Sequence, residues 1–142
     1  MSYRKKLLFG VFGLIALMAG ATGVLLPDSA IEDVFISNDA ENFVYSITLS
    51  LPFEYVDHVP VEKTEVIQVS LRSNTWFGFE NNEYLGSETI APDILQSQML
   101  TDIAYEGSVV GGPFLTIRFK EPVDYHLSVD ESSNKIVIVV SK

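Results

Sequence analysis

Two histidines are the first residues to consider for chemistry. His58 and His126 are the only histidines of the chain, and each closely follows a tyrosine and lies near an aspartate. A histidine acts as a general base for a serine nucleophile when a third group orients it. However, the chain contains no Gly-x-Ser-x-Gly nucleophile elbow. We therefore predict no catalytic residues and no enzymatic activity.

The other residue types that bind metals or cofactors show no characteristic spacing. The chain has no cysteine, and its two histidines are far apart, whereas a zinc site needs three or four closely placed ligands. Nineteen acidic residues provide many accidental carboxylate pairs, so no pair is informative. The oxygen-rich stretch 130–134 resembles a calcium loop in composition, but a plain hairpin turn explains the same residues, and we favour the turn. The sequence predicts no metal and no cofactor.

Three aromatic residues in the middle of the chain form a candidate ligand-binding cluster. Trp76, Phe77 and Phe79 lie close together in a segment where the regular hydrophobic pattern lapses. Such rings either stack against a sugar or peptide or fill the open end of a small β core. Both interpretations remain open, and the three residues are candidate binding residues.

Two tyrosines in matching contexts form a second candidate site. Tyr55 ends a Pro-Phe-Glu-Tyr stretch and Tyr125 ends a Pro-Val-Asp-Tyr stretch. If these two stretches, which we call the proline corners, occupy equivalent positions in the fold, Tyr55 and Tyr125 would form a paired site. Alternatively, the rings are buried against the opposite sheet and their hydroxyl groups reach a backbone partner. Arg118, on the polar side of the strand before Tyr125, is the remaining candidate binding residue.

The strands that would position these residues are visible in the alternation of apolar and polar side chains. Residues 115–120 alternate strictly between apolar and polar, as do residues 45–51, which indicates strands with one buried face. Pro52 and Pro122 follow these strands and are expected at a break or a strand start, since proline cannot donate to a ladder. After Pro52, the spacing places Phe53, Tyr55 and Asp57 on one face. Short strands at this spacing favour antiparallel sheets.

The two halves of the chain carry the same pattern. The two proline corners lie 70 residues apart, and the last strands of the halves, 67–71 and 136–140, are offset by 69. We therefore predict an all-β fold, a small sandwich of two similar antiparallel sheets from an internal duplication of residues 31–71 and 100–140. Residues 72–99 form the crossover, with a short helix expected at 91–99 behind Pro92.

The N-terminal segment predicts export. Arg4, Lys5 and Lys6 precede twenty residues without a charge, 7–26. This pattern is typical of a signal peptide, residues 1–21, with small residues before a cleavage point at Thr22. The run is also long enough for a membrane anchor, residues 1–27. Either way, the body of the chain is expected in the periplasm, soluble or held to the inner membrane by residues 7–26.

The charge of the remaining chain excludes one class of partner. Arg4, Lys5 and Lys6 account for three of the nine basic residues, which leaves six basic against nineteen acidic residues and a formal charge of −13. This charge repels nucleic acid and anionic lipid headgroups. We expect no nucleic-acid partner.

The sequence of residues 31–142 resembles the AMIN-type β domains of bacterial envelope proteins. The resemblance is carried by the run 112–119, the corner 122–125, the closing strand 136–140 and the same layout in 31–71. In that family the domain precedes amidases, pilus secretins and tetratricopeptide arrays. The resemblance implies a non-catalytic module that binds peptidoglycan or an envelope protein. The alternative is a membrane-anchored subunit of a larger assembly, such as a pilus or secretion complex.

Overall fold

The computed structural model of the protein describes residues 29–73, 86–90 and 99–142. Within these ranges the chain forms nine strands and one short 3₁₀ turn at Glu131–Ser133. The strands are β1 (Ile31–Asn38), β2 (Asn42–Leu49), β3 (Phe53–Val59), β4 (Thr64–Ser73), β5 (Ser87–Ile90), β6 (Leu100–Glu106), β7 (Phe114–Val123), β8 (Tyr125–Asp130) and β9 (Lys135–Ser141). The predicted N-terminal segment lies outside the described residues, and so do residues 91–98 of the helix expected at 91–99. In the described ranges, no helix is long and apolar enough to cross a membrane.

The strands form two antiparallel sheets. The four-stranded sheet has the order β1-β2-β9-β8, and the five-stranded sheet has the order β3-β4-β7-β6-β5. Every neighbouring pair is antiparallel. The prediction of an all-β fold with two antiparallel sheets is therefore confirmed.

The core lies between the two sheets. One face of each central strand is buried because apolar residues occupy every second position, as on Ile47 of β2 and Ile117 of β7. The rings of Tyr45 and Phe119 meet edge to face across the sheets, with centroids 5.9 Å apart. Each fully buried isoleucine or leucine contributes about 1.5–3 kcal/mol relative to an exposed one. The apolar interface between the sheets is therefore the main stabilising element.

The two sheets have equivalent strand orders and registers. Replacing β1, β2, β9 and β8 by β6, β7, β4 and β3 gives the order of four strands of the other sheet, in which β5 is an additional strand beside β6. Ile47 pairs with Ile136 in the four-stranded sheet, and Ile117 pairs with Ile67 in the five-stranded sheet. A bulge falls at the same place in β1 and β6, immediately before Asp33 and Asp102. Each sheet thus combines two strands from each half of the chain.

A bulge in β3 changes which of its residues face the core. Tyr55 pairs with Leu71, whereas Asp57 pairs with the next residue of β4, so Val56 is an extra residue. The expectation that Asp57 shares a face with Phe53 and Tyr55 was therefore wrong, because the bulge reverses the alternation. Asp57 is exposed. The extra residue also explains why the spacing between the halves falls from 70 to 69.

Pro122 lies within a strand and does not break it. β7 continues through Pro122 to Val123, which pairs with Thr64 of β4. The register between β4 and β7 shifts between Thr64 and Val66, so the ladder is irregular where Pro122 lies. A proline is tolerated there because no regular hydrogen bond requires its missing N–H.

The crossover contains a strand that the sequence pattern did not predict. β5 has only four residues and pairs with β6 from Ser87 opposite Glu106 to Ile90 opposite Ile103. So short a segment carries too little periodicity to be recognised. β5 is the edge strand of the five-stranded sheet and covers the outer side of β6.

Candidate functional site

The edge strands are the parts of this sandwich that are best placed to bind a partner. An edge strand presents unpaired N–H and C=O groups, which another chain can extend into the sheet. Within the described residues, the edges are β1 and β8 in one sheet and β3 and β5 in the other. An edge strand is accessible to a partner only where side chains of the protein do not cover its backbone groups.

The edges β3 and β8 are joined by two tyrosines and a histidine. The hydroxyl of Tyr55 lies 2.5 Å from Nδ1 of His58, and the His58 ring meets the Tyr125 ring at 5.8 Å between centroids. The Tyr125 hydroxyl donates a hydrogen bond to the carbonyl oxygen of Pro60. The structure therefore brings the two predicted tyrosines together through His58. Nothing in the sequence indicated that His58 would connect them, because the contact joins different sheets.

Charged side chains also link the chain near β3 to the chain near β8. The Glu131 carboxylate accepts a hydrogen bond of 2.9 Å from the backbone N–H of Tyr55. Lys63 and Asp124 form an exposed ion pair with a distance of 3.6 Å between Nζ and Oδ2. These contacts, together with those of Tyr55, His58 and Tyr125, form a latch between β3 and β8.

Both latch tyrosines remain neutral at physiological pH. Burial raises the pKa of Tyr55, and the negative charge of Asp57 raises it further. Burial also raises the pKa of Tyr125, with a second contribution from Tyr55. Protonated hydroxyls act as hydrogen-bond donors, which suits a structural role in this latch.

Of the remaining predicted binding residues, only Arg118 is described. Its guanidinium Nη1 lies 2.6 Å from Oδ1 of Asp102 on the neighbouring strand β6. Its side chain is 39% exposed and that of Asp102 is 19% exposed. This cross-strand pair stabilises the outer face of the five-stranded sheet. Trp76, Phe77 and Phe79 lie outside the described residues.

A carboxylate of β5 holds the beginning of β1. Glu88 accepts hydrogen bonds from the Ser29 hydroxyl at 2.6 Å and from the backbone N–H of Ala30 at 2.8 Å. A longer bond of 3.3 Å comes from the N–H of Ile31. These contacts fix the first residues of β1 and leave the rest of its outer side uncovered by Glu88.

The later part of β1 is less covered than the equivalent part of β6. Val34 and Ile36 point toward the core but remain partly exposed. Their counterparts on β6 pair with β5, and they are buried, with Ile103 at 0% and Tyr105 at 2% exposure. In the part of the chain that the structure describes, no strand lies beyond β1. Among residues 29–73, 86–90 and 99–142, the side of β1 that corresponds to the place of β5 therefore carries no strand.

Phe35 is the most prominent residue of this open edge. Its side chain is 62% exposed, while its counterpart Ala104 on β6 is 5% exposed. A large exposed apolar side chain beside an open strand is a feature of interaction surfaces. The sequence contained a signal for it, since Val34, Phe35 and Ile36 are three consecutive apolar residues. In a strand, the middle one must face away from the other two.

The surroundings of this edge are acidic. The four acids near β1 and its following turn are Glu32, Asp33, Asp39 and Glu41, and residues 32–41 contain no lysine or arginine. Asp39 accepts hydrogen bonds from the N–H groups of Glu41 and Asn42, which lower the pKa of Asp39 and keep it charged. Lys142 is the neighbouring cation, and its ammonium group donates to the carbonyl oxygen of Asp39. The edge thus combines an exposed phenyl ring with negative charge.

The described residues contain no group of three or more histidine, aspartate or glutamate side chains that could hold a metal ion. Comparison of the whole chain with protein-family models, curated proteins and solved structures gives no match.

Proposed function

We propose that this chain is a non-catalytic binding module of the bacterial cell envelope that holds a protein partner through the open edge of β1. The observation that carries the proposal is the exposure of Phe35 beside an uncovered strand. The edges β3 and β8 are bridged to each other by side chains, and the remaining edge strand, β5, covers β6 and has only four residues.

The physical basis is strand addition. A partner segment that pairs with β1 would satisfy its outward backbone groups and cover the partly exposed Val34 and Ile36. Covering the Phe35 ring would contribute less than the about 1.5–3 kcal/mol of full burial, because the side chain is already partly covered. Main-chain hydrogen bonds would provide affinity, and the phenyl ring would provide specificity.

The envelope location rests on the export segment and on the resemblance to AMIN-type domains. A cleaved segment, residues 1–21, would release a soluble periplasmic module. A retained segment, residues 1–27, would make the chain a membrane-anchored subunit of a larger assembly, with the same edge facing its neighbour. The mass of the N-terminus in the native protein distinguishes these forms.

We also propose that residues 31–71 and 100–140 arose by internal duplication. The equivalent strand orders, the matching registers of Ile47 and Ile117 and the repeated bulge before Asp33 and Asp102 support this origin. Random alternation would produce strands, but it would not produce the same pairings at the same spacing. If the halves are duplicates, the pairing of β6 with β5 shows where a strand could pair with β1.

Retention of envelope proteins on the immobilised full chain tests the binding function. We expect an envelope protein, identified by mass spectrometry, to be retained by the native chain and lost with Phe35→Ser. Val110→Ser is the matched control, since Val110 is 98% exposed in the turn between β6 and β7. Retention on protein-free peptidoglycan that is unchanged by Phe35→Ser would replace the proposal with a cell-wall function. Equal retention of the protein by both variants would reject the β1 edge.

A further inference from the structure

We infer that the occupant of the β1 edge is a cationic, extended segment of the partner protein, added as a fifth strand at the place equivalent to that of β5. This inference rests on the proposed function, because it specifies the chemistry of the partner at that same edge. It is drawn from the two halves of the fold and from the charge of the edge.

The position of the added strand follows from β5. Residues 87–90 pair with residues 103–106 of β6. At the spacing of 69 that relates β6 to β1, the equivalent residues are 34–37. This stretch begins three residues after Ile31, where the contact with Glu88 ends. The place is therefore not obstructed by Glu88.

The burial of the two strands indicates that this place suits a strand. Ile103 and Tyr105 are buried beside β5, whereas Val34 and Ile36 are partly exposed on the strand that has no such neighbour among the described residues. An incoming strand with an apolar residue facing Val34 would complete the core layer, as Ile90 does opposite Ile103. The outer side of the same strand would lie beside Phe35.

Charge identifies the class of segment. Exposed Glu32 and Asp33 are adjacent to residues 34–37 on one side. Asp39 and Glu41 follow on the other, where Lys142 offsets one of the four negative charges. Lysine or arginine residues flanking the apolar position would therefore be attracted, and acidic residues would be repelled. A second copy of the chain does not fit, because pairing β1 with β1 would place these carboxylates opposite one another.

Synthetic peptides test the inference with the full chain. The probe is a short peptide in which lysine and valine alternate, and the matched control replaces every lysine by glutamate. We expect the lysine peptide to bind at least about tenfold more tightly at low salt, which corresponds to about 1.4 kcal/mol. Added salt should reduce this difference, because exposed charges are screened.

Two further measurements locate the binding. Hydrogen exchange should show new protection of backbone amides in residues 34–37, and a lysine peptide with methylated backbone nitrogens should not bind. Glu32→Gln with Asp33→Asn should weaken binding, while Glu121→Gln, an exposed acid on β7, should not. Equal binding of the lysine and glutamate peptides, protection confined to other strands, or dimerisation through β1 would overturn the inference.

The outcomes separate this inference from the proposed function. If the lysine peptide does not bind but Phe35→Ser still abolishes retention of an envelope protein, the cationic strand is wrong and the binding edge stands. If retention does not depend on Phe35, the proposed function fails by its own test.

Discussion

The carboxylate of Glu131 accepts a hydrogen bond from the backbone N–H of Tyr55 at 2.9 Å, and it thereby links the turn after β8 to the edge of β3. Glu131 belongs to the connection within one sheet, and Tyr55 belongs to the edge of the other. A backbone group that an incoming strand would need is thus already bound within the molecule. This contact is one physical reason why the β3 edge is less accessible than the β1 edge, beside which the described part of the chain places no strand.

We expect Glu131→Ala to lower the free energy of unfolding by about 0.5–1.5 kcal/mol, the net value of a hydrogen bond. The change should lie at the lower end, because water can solvate the released N–H at this exposed site. Urea denaturation measures it. Glu131→Gln retains an acceptor oxygen and should cost less, so equal losses in both variants would show that charge, and not the hydrogen bond, matters here.

Ile47 and Ile117 provide a matched test of the two halves. Both side chains are fully buried, and they occupy equivalent positions in β2 and β7. We expect Ile47→Val and Ile117→Val each to lower the free energy of unfolding by about 0.5–1.5 kcal/mol, because each removes one buried methylene and leaves a small cavity. Chemical denaturation of the two variants and of the exposed control Val110→Ala provides the comparison.

The outcome of this pair bears on the duplication. Similar losses at both isoleucines, with no loss at Val110, would agree with two equivalent halves. A large loss at one isoleucine and none at the other would mean that the two positions differ in packing despite their matching registers.

The sequence predicted the strands well because their burial is encoded locally. The alternation of residues 45–51 and 115–120 depends only on which face of each strand meets the core. The change of spacing from 70 to 69 indicated one extra residue after Pro52, but residues 53–59 carry no local signal that places the bulge at Val56. The sequence also could not predict the contact of His58 with Tyr125, because that contact depends on which edges of the two sheets face each other.

The sequence also did not predict that the edge of β1 is uncovered, for a related reason. The apolar run of Val34, Phe35 and Ile36 indicates an outward-facing apolar residue, but not whether another strand covers it. Whether a strand covers it is known only from the structure. β5, which is too short to recognise in the sequence, lies beside β6, and the described residues place no equivalent strand beside β1.

Arg118 and Asp102 allow the predicted binding role of Arg118 to be separated from a structural one. Their 2.6 Å contact is partly buried, so we expect Arg118→Ala to lower the free energy of unfolding by about 1 kcal/mol, at the upper limit for exposed pairs. In a double-mutant cycle with Asp102→Asn, the two losses should not add. Additive losses would show that the two residues stabilise the fold independently, and the retention assay would then decide whether Arg118 contacts a partner.

The latch of Tyr55 and Tyr125 predicts a loss of stability in alkaline solution. Burial raises the pKa of both tyrosines above the ordinary value of 10.0, so the folded state favours the neutral hydroxyls. In the unfolded chain the hydroxyls ionise first, and unfolding is then coupled to proton release. The stabilisation is therefore complete below the ordinary pKa and is lost as the pH rises through the raised values. Urea denaturation across this range, with tyrosinate absorbance as the titration signal, should show a steeper decline for the native chain than for a Tyr55→Phe, Tyr125→Phe variant. Parallel declines would mean that the latch tyrosines do not cause the alkaline loss.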